Sequence, residues 1–254
     1  MRKILPLACL AALLSSCSSN SFHDSFAAYR KDTASQLYHE SKKDLQKGHD
    51  ARAVKKLEAL NALYPFGVYT EKGLINLVYA YYQNDEADEA LATADRYLML
   101  YPRGQYSDYA YYMKGVIAFK QGFSWMQRKA GVNPAPRDLS NLKNAYVSFN
   151  ELVENFPQSM YVPDAIARMK YIRNLYAEKD VGIAKFYYNR KAYVAAANRA
   201  NDVVVHYDRS PYVISALAIM VKSYRKLGLT KMANNTLKIL EASYPNSKQL
   251  KELK

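Results

Sequence analysis

Cysteine is nearly absent: two occur in 254 residues, Cys9 and Cys17. No disulfide framework can hold the body of the chain, and no cysteine metal cluster can form in it. Histidine is scarce as well. His23, His39, His49 and His206 are scattered without metal-ligand spacing, so no metal site is expected. Glycine and proline number nine each, and no apolar–polar alternation of period two persists, which excludes a β-sandwich or barrel and leaves an all-α fold. No glycine-rich phosphate loop, nucleophile elbow or kinase signature appears. The acid pairs Asp85-Glu86 and Asp88-Glu89 fall at a turn and a helix start, where carboxylates suit the helix dipole better than acid–base catalysis. The chain therefore reads as a non-enzyme with no cofactor. Long apolar runs are missing too. The longest, Ile4 to Leu14, is too short to span a bilayer.

What the chain does carry is a repeat. In Ala53 to Pro65, apolar residues fall at Ala53, Leu57, Leu60 and Leu63, one face of a helix, with Lys55, Lys56 and Glu58 facing away. Pro65 cannot continue the helix, so it stops there. The pattern returns four times. Twelve residues before the proline column stand Ala53, Ala90, Ala145, Ala196 and Ala233. Eight before it stand Leu57, Ala94, Phe149, Ala200 and Leu237. Five before it stand Leu60, Tyr97, Leu152, Val203 and Leu240. An aromatic precedes it each time, and Asp208 replaces the proline once. This is the second half of a tetratricopeptide repeat, a two-helix unit of about 34 residues. First helices fit as well: Leu74, Leu77, Val78 and Tyr81 in one, Leu217, Met220, Val221 and Tyr224 in another, with Gly48 and Gly228 as helix ends. The expected architecture is an all-α tetratricopeptide-repeat solenoid of about five helix pairs.

The N-terminus has its own logic. Met1-Arg2-Lys3 is basic, Ile4 to Leu14 is apolar, and the run ends Leu14-Ser15-Ser16-Cys17. An aliphatic residue, two small ones and a cysteine form a bacterial lipobox, in which the sulfur takes a diacylglyceryl group and cleavage frees the amine for acylation. An ordinary secretory signal with an incidental cysteine is the alternative. On the lipoprotein reading, residues 1–16 are the signal, Cys17 is lipidated, and 17–32 tether the lipid to the repeats. Ser18 follows Cys17 rather than an aspartate, which favours the outer membrane. The repeats then divide into an N-terminal half, 33–158, and a C-terminal half, 159–254.

The halves differ. Residues 121–139 hold Gly122, Gly131, Pro134, Pro136 and the single tryptophan, Trp125, and read as a loop inserted into the third repeat. The following interval is longer than one repeat. Val162 to Ala177 reads as one helix, Val181 to Arg190 as a second and Tyr193 to Tyr207 as a third. The formal charge of +13 falls to +11 once Arg2 and Lys3 leave with the signal. Basic residues are spread over every helix rather than gathered in a stripe, so no nucleic-acid partner is expected. Tyrosine is abundant, at 24. Many sit at core positions. Tyr38, Tyr79 and Tyr82 fall where first helices line a groove, with Tyr64 and Phe66 at the turn between repeats; they either take an extended peptide or simply pack between helices.

The lipobox, the five repeats, Tyr64-Pro65-Phe66-Gly67, Tyr79-Ala80-Tyr81-Tyr82, Arg137-Asp138 and the run Tyr187 to Arg199 together resemble the BamD (ComL) family of outer-membrane lipoproteins. The resemblance implies a periplasm-facing scaffold of the β-barrel assembly machinery. Such a scaffold binds a BamA-like barrel subunit through its POTRA domains, alongside other Bam lipoproteins that vary between bacteria, and engages unfolded barrel precursors. It further implies that Tyr187, Tyr188, Arg190 and Arg199 lie near the POTRA contact, although Arg199 can equally pair with Asp202 three residues on. Asp208 in the proline column and the short tail depart from the pattern. The rival function is a repeat lipoprotein that binds cell wall or DNA.

Overall fold

The computed structural model describes residues 26–123 and 139–253. The expected signal, Cys17, most of the expected tether and residues 124–138 of the expected insertion, with Trp125, lie outside them. The chain forms two compact units, one ending at Gly73 and the other beginning at Leu74.

After a 3-10 turn at Ala27–Tyr29, the helices are α1 (Ala34–Gln46), α2 (Asp50–Leu63), α3 (Val68–Gln83), α4 (Ala87–Leu100), α5 (Ser107–Gln121), α6 (Ser140–Asn155), α7 (Val162–Asn189), α8 (Tyr193–His206), α9 (Val213–Lys226), α10 (Thr230–Ser243) and α11 (Lys248–Lys251). Among the described residues these are five consecutive tetratricopeptide-repeat helix pairs followed by a short closing helix, and no strand occurs. The unit boundary falls inside α3.

The sequence columns are the core columns. Ala53, Ala90, Ala145, Ala196 and Ala233 are all buried, as are Leu60, Tyr97, Leu152, Val203 and Leu240. A small residue is needed where the paired helix crosses; a larger one would hold the axes apart. Each second helix stops in the same way. The aromatic before the proline column donates its N–H to the carbonyl four residues back: Tyr64 to Leu60 at 2.9 Å, Tyr101 to Tyr97 at 2.8 Å, Phe156 to Leu152 at 2.9 Å, Tyr207 to Val203 at 3.0 Å and Tyr244 to Leu240 at 2.9 Å. Asp208 thus ends α8 without the proline, because the cap bond belongs to the residue before it.

The turn inside four of the five pairs, all but the interrupted α5–α6 pair, is equally regular. Seventeen residues before the proline column the backbone is left-handed: φ is 69° at Gly48, 61° at Asp85, 63° at Lys191 and 72° at Gly228. The next residue donates its N–H five residues back, His49 to Asp44 and Glu86 to Tyr81 at 2.9 Å, Ala192 to Tyr187 and Leu229 to Tyr224 at 3.0 Å. This closes the first helix as a Schellman motif.

In the unit that ends at Gly73, α1 packs on α2. Thr33 opens α1 with a capping box, its hydroxyl accepting from the N–H of Gln36 at 3.3 Å while its own N–H donates to Gln36 Oε1 at 2.8 Å. Lys56 Nζ joins the two helices by ion pairs to Glu40 at 2.8 Å and Asp44 at 2.9 Å.

In the other unit, α5 packs on α6, α6 on α7, α7 on α8 and α8 on α9. The interval after the third repeat corrects one expectation. Val162–Ala177 and Val181–Arg190 are not two helices but parts of one, the 28-residue α7. Its N-terminal part buries Ala165, Ile172 and Leu175 in one cluster with α6. Its C-terminal part buries Ala177, Val181 and Ala184 in a second cluster with α8 and α9. The apolar stripe changes partner midway, and that shift imitates a break. Glu178-Lys179-Asp180 contains nothing that stops a helix, and Gly182 alone costs only about 1 kcal/mol. The C-terminal residues also dock. Leu250 and Leu253 are buried in the second cluster, and Arg225 Nη1 donates to the Leu253 carbonyl at 2.9 Å.

Candidate functional site

The residues expected to line a groove divide between the two units. Tyr38, Tyr64 and Phe66 belong to the first. Tyr38, on α1, is half-buried and lies 5.4 Å from the ring of Tyr69 and 5.3 Å from that of His39, with Lys42 Nζ 5.9 Å above it. Tyr64 is tied down, its hydroxyl donating to the Asp32 carbonyl at 2.7 Å. Phe66 stands in solvent at 89 % exposure, ahead of Gly67 with φ 123°. These three therefore have different surroundings: a ring cluster, an anchored phenol and a free aromatic at a turn.

Tyr79 and Tyr82 belong to the second unit and do come together with other aromatics. They sit three apart on α3, and α5 repeats that spacing with Tyr109 and Tyr112. Tyr161, immediately before α7, stacks on Tyr112 at 4.7 Å and 18° and lies 5.4 Å from Tyr109. Burial, then the neighbouring phenols of Tyr161, Tyr79, Tyr112 and Tyr82, pushes the Tyr109 phenol well above the ordinary tyrosine value. The Tyr109 phenol is therefore a neutral hydrogen-bonding group at physiological pH. Three of these five tyrosines, Tyr109, Tyr112 and Tyr161, are not among the residues picked from the sequence. The i, i+3 tyrosine spacing shared by α3 and α5 is the signal that marks the first two.

Charges on this face are paired internally. Tyr112 donates to Asp164 Oδ2 at 2.8 Å, and Arg168 Nε reaches the same oxygen at 2.6 Å. Burial raises the Asp164 carboxyl, but Arg168 and Tyr112 outweigh it and hold it below the usual aspartate value. Arg168 also lies over the Phe119 ring at 5.1 Å, and Phe119 continues to Phe123 at 5.0 Å and Tyr171 at 6.0 Å. Beside it is a cavity of about 250 Å³ lined by Tyr82, Asp85, Ala87, Ile117, Lys120, Gln121 and Phe123. Lys120 Nζ pairs with Asp85 at 2.5 Å and sits over the Tyr82 ring at 4.7 Å. Phenol edges, exposed ring faces and neutralised charges suit a peptide carrying aromatic and aliphatic side chains.

The second candidate surface surrounds the α7–α8 turn. Tyr187 and Tyr188 pack half-buried against the core, Tyr188 5.4 Å from Tyr193. Arg190 is exposed and stacks over Phe186 at 5.1 Å. Arg199 is paired locally, 3.7 Å from both Asp180 and Asp202. Burial raises the Asp180 carboxyl, Arg199 opposes this and Asp202 adds to it, leaving it above the ordinary aspartate value. Among the described residues no group of three His, Cys, Asp or Glu could hold a metal ion, and no helix is long and apolar enough to cross a membrane.

A family model described as outer membrane lipoprotein, YfiO, matches residues 30–240. The outer membrane protein assembly factor BamD of Neisseria meningitidis serogroup B is 35% identical over 99% of this chain and 95% of its own length. Its namesake in Haemophilus influenzae is 35% identical over 96% of this chain and 92% of its own. Among solved structures, the TPR2AB-domain:pHSP90-complex of yeast Sti1 aligns with TM-score 0.47 and 14% identity over 85% of this chain and 80% of that one. With matches that run almost end to end in both directions, the chain belongs to the BamD (YfiO) family of outer-membrane lipoproteins.

Proposed function

We infer that this chain is a non-enzymatic scaffold of the outer-membrane β-barrel assembly machinery, anchored by lipid at Cys17 and facing the periplasm. The observation that carries the reading is family membership along nearly the whole chain, with relatives named outer membrane protein assembly factors. The physical support is the aromatic face. A barrel precursor arrives unfolded, with alternating aromatic and aliphatic side chains, and needs a surface that accepts such residues without fixing a sequence. Tyr79, Tyr82, Tyr109, Tyr112 and Tyr161 offer it in the second unit; Tyr38, Tyr64 and Phe66 are a separate set of candidate contacts in the first unit. The region of Tyr187, Tyr188, Arg190 and Arg199 docks on the POTRA domains of a BamA-like barrel subunit. Holding the precursor by one surface and the insertion subunit by another raises the effective concentration of each for the other.

The test is affinity purification from detergent-solubilised outer membrane, with photo-crosslinkers at Tyr82 and Tyr161. A BamA-like barrel protein is expected to co-purify, and crosslinks are expected to barrel-precursor segments. Recovery of cell-wall fragments or DNA without a barrel protein would overturn the reading. Crosslinks arising only from the last two repeats would relocate the precursor site.

A further inference from the structure

The residue after the proline column is polar or charged in four repeats: Arg103, Gln158, Arg209 and Asn246. In the first repeat it is Phe66, which stands in solvent at 89 % exposure, with Val68, two residues on, at 67 %. Pro65 and Gly67 are exposed too, and residues 59–70 carry no charge. The turn is firmly held. The Thr70 hydroxyl donates to the Tyr64 carbonyl at 2.5 Å, and the Thr70 N–H to the Gly67 carbonyl at 3.1 Å. Gly67, at φ 123°, takes a backbone conformation that a side chain would strain. Phe66 is thus fixed in place with no core to serve. The Tyr64 hydroxyl donates to the Asp32 carbonyl at 2.7 Å. That bond ties the turn to the stretch where the chain enters the fold, and Arg30 and Lys31 on that stretch are both exposed.

Phe26 is nine residues on from Cys17, and nine fully extended residues span about 30 Å. With lipid on Cys17, the end of the first unit that holds Arg30, Lys31 and the Phe66 turn stays within that reach of the bilayer. We propose that residues 65–68 are a second membrane contact. Phe66 and Val68 enter the boundary between headgroups and acyl chains in the leaflet that holds the lipid, and Arg30 and Lys31 lie against its anionic phosphates. The proposal rests on lipidation at Cys17, and it moves Phe66 from the candidate precursor contacts to the membrane. One ring on a turn is too little to recruit a protein from solution. A short tether changes this, because it holds the bilayer at high effective concentration, and a weak contact then decides which face of the first unit meets the lipid. A precursor peptide also accepts an exposed aromatic. Rings that meet each other, such as Tyr109, Tyr112 and Tyr161, hold a peptide better than a single ring at 89 % exposure.

With Cys9 removed alongside the signal and Cys17 lipidated, the mature chain has no free thiol, so one introduced cysteine is labelled selectively. The experiment places bimane on Val68→Cys or on Lys47→Cys in the full lipidated chain. Each is reconstituted in vesicles of phosphatidylethanolamine and phosphatidylglycerol with brominated acyl chains. Lys47 is exposed in the turn at the opposite end of α2, about 20 Å away along the helix. Bromine is expected to quench the Val68 probe about threefold or more beyond the Lys47 probe. Phe66→Ala is expected to bring the Val68 value down to the Lys47 value with an unchanged melt. Equal quenching at the two positions, or Val68 quenching that survives Phe66→Ala, overturns the proposal. If Phe66→Ala lowers the melt, the two probes in the chain that keeps Phe66 decide. A photo-crosslinker at Phe66 that captures barrel-precursor peptide in the same vesicles, with the Val68 probe unquenched, returns Phe66 to the precursor contacts and overturns it too. Protein that takes up no labelled fatty acid and washes off the vesicles refutes lipidation at Cys17, and the second contact with it. Lipidated protein with an unquenched Val68 probe overturns the second contact alone.

Discussion

The same substitution at two helical glycines is expected to move stability in opposite directions. Gly115 lies inside α5, with its Cα hydrogen facing Phe149 of α6. A Cβ placed there falls 2.4, 2.5 and 2.8 Å from three atoms of the Phe149 ring, against an ordinary carbon–carbon contact of about 3.5–4.0 Å. Phe149 is fully buried, with Tyr112 6.2 Å away, so its ring cannot swing into solvent. Overpacking a close-packed core costs about 1–3 kcal/mol, and three overlapping atoms put this site at the upper end. The helix itself gains about 1 kcal/mol when glycine becomes alanine. The net expectation for Gly115→Ala is a loss of about 2 kcal/mol. Gly182, in α7, is exposed, and a Cβ there meets nothing within 4 Å. Only the helix term remains, and Gly182→Ala is expected to gain about 1 kcal/mol. Urea unfolding followed by circular dichroism measures both, the midpoint moving at constant slope. A double variant, Gly115→Ala with Phe149→Leu, tests the cause: the two changes should cost less together than the sum of each alone. Gly115→Ala as stable as wild type, or additive behaviour of the double variant, would refute the close-approach argument.

Three further expectations follow from single features. Lys191 holds φ 63° with an exposed side chain; Lys191→Gly should raise the urea midpoint by the equivalent of about 1 kcal/mol, and Gly228→Ala, at φ 72°, should lower it by a similar amount. Burial raises the Asp44 carboxyl, but Lys56, Arg52 and His49 together bring it below its ordinary 3.8. Its contribution is present above that value and fades as pH falls through the folded one, so Asp44→Asn should melt earlier than wild type at neutral pH and the gap should close in acid. Arg199→Ala removes two 3.7 Å ion pairs from a side chain that is 42% exposed, worth less than about 1 kcal/mol. Because Asp180 is already held above its ordinary value, protonating it favours the folded state; the variant's deficit should shrink as pH falls, and a deficit that grows in acid would contradict this assignment.

Legibility in the sequence followed from how many side chains each feature needs. The second helices were readable because alanine, the residue five before the proline column and the aromatic cap recur where crossing, burial and termination each demand one residue type. The inner turn was readable only where glycine occupies it, at Gly48 and Gly228. Asp85 and Lys191 adopt the same left-handed backbone, and nothing in their side chains announces it, because neighbouring hydrogen bonds impose the conformation. The length of α7 was hidden for another reason. Hydrophobic phase reports which partner a helix faces, so a helix that leaves one core at Leu175 and enters the next at Ala177 looks broken. The aromatic face lies between these cases. Tyr79 and Tyr82 could be chosen from their place in the repeat, but whether a ring lines a surface or fills a core depends on the helix across from it. Tyr97 shows the other outcome: it occupies a repeat column and is fully buried.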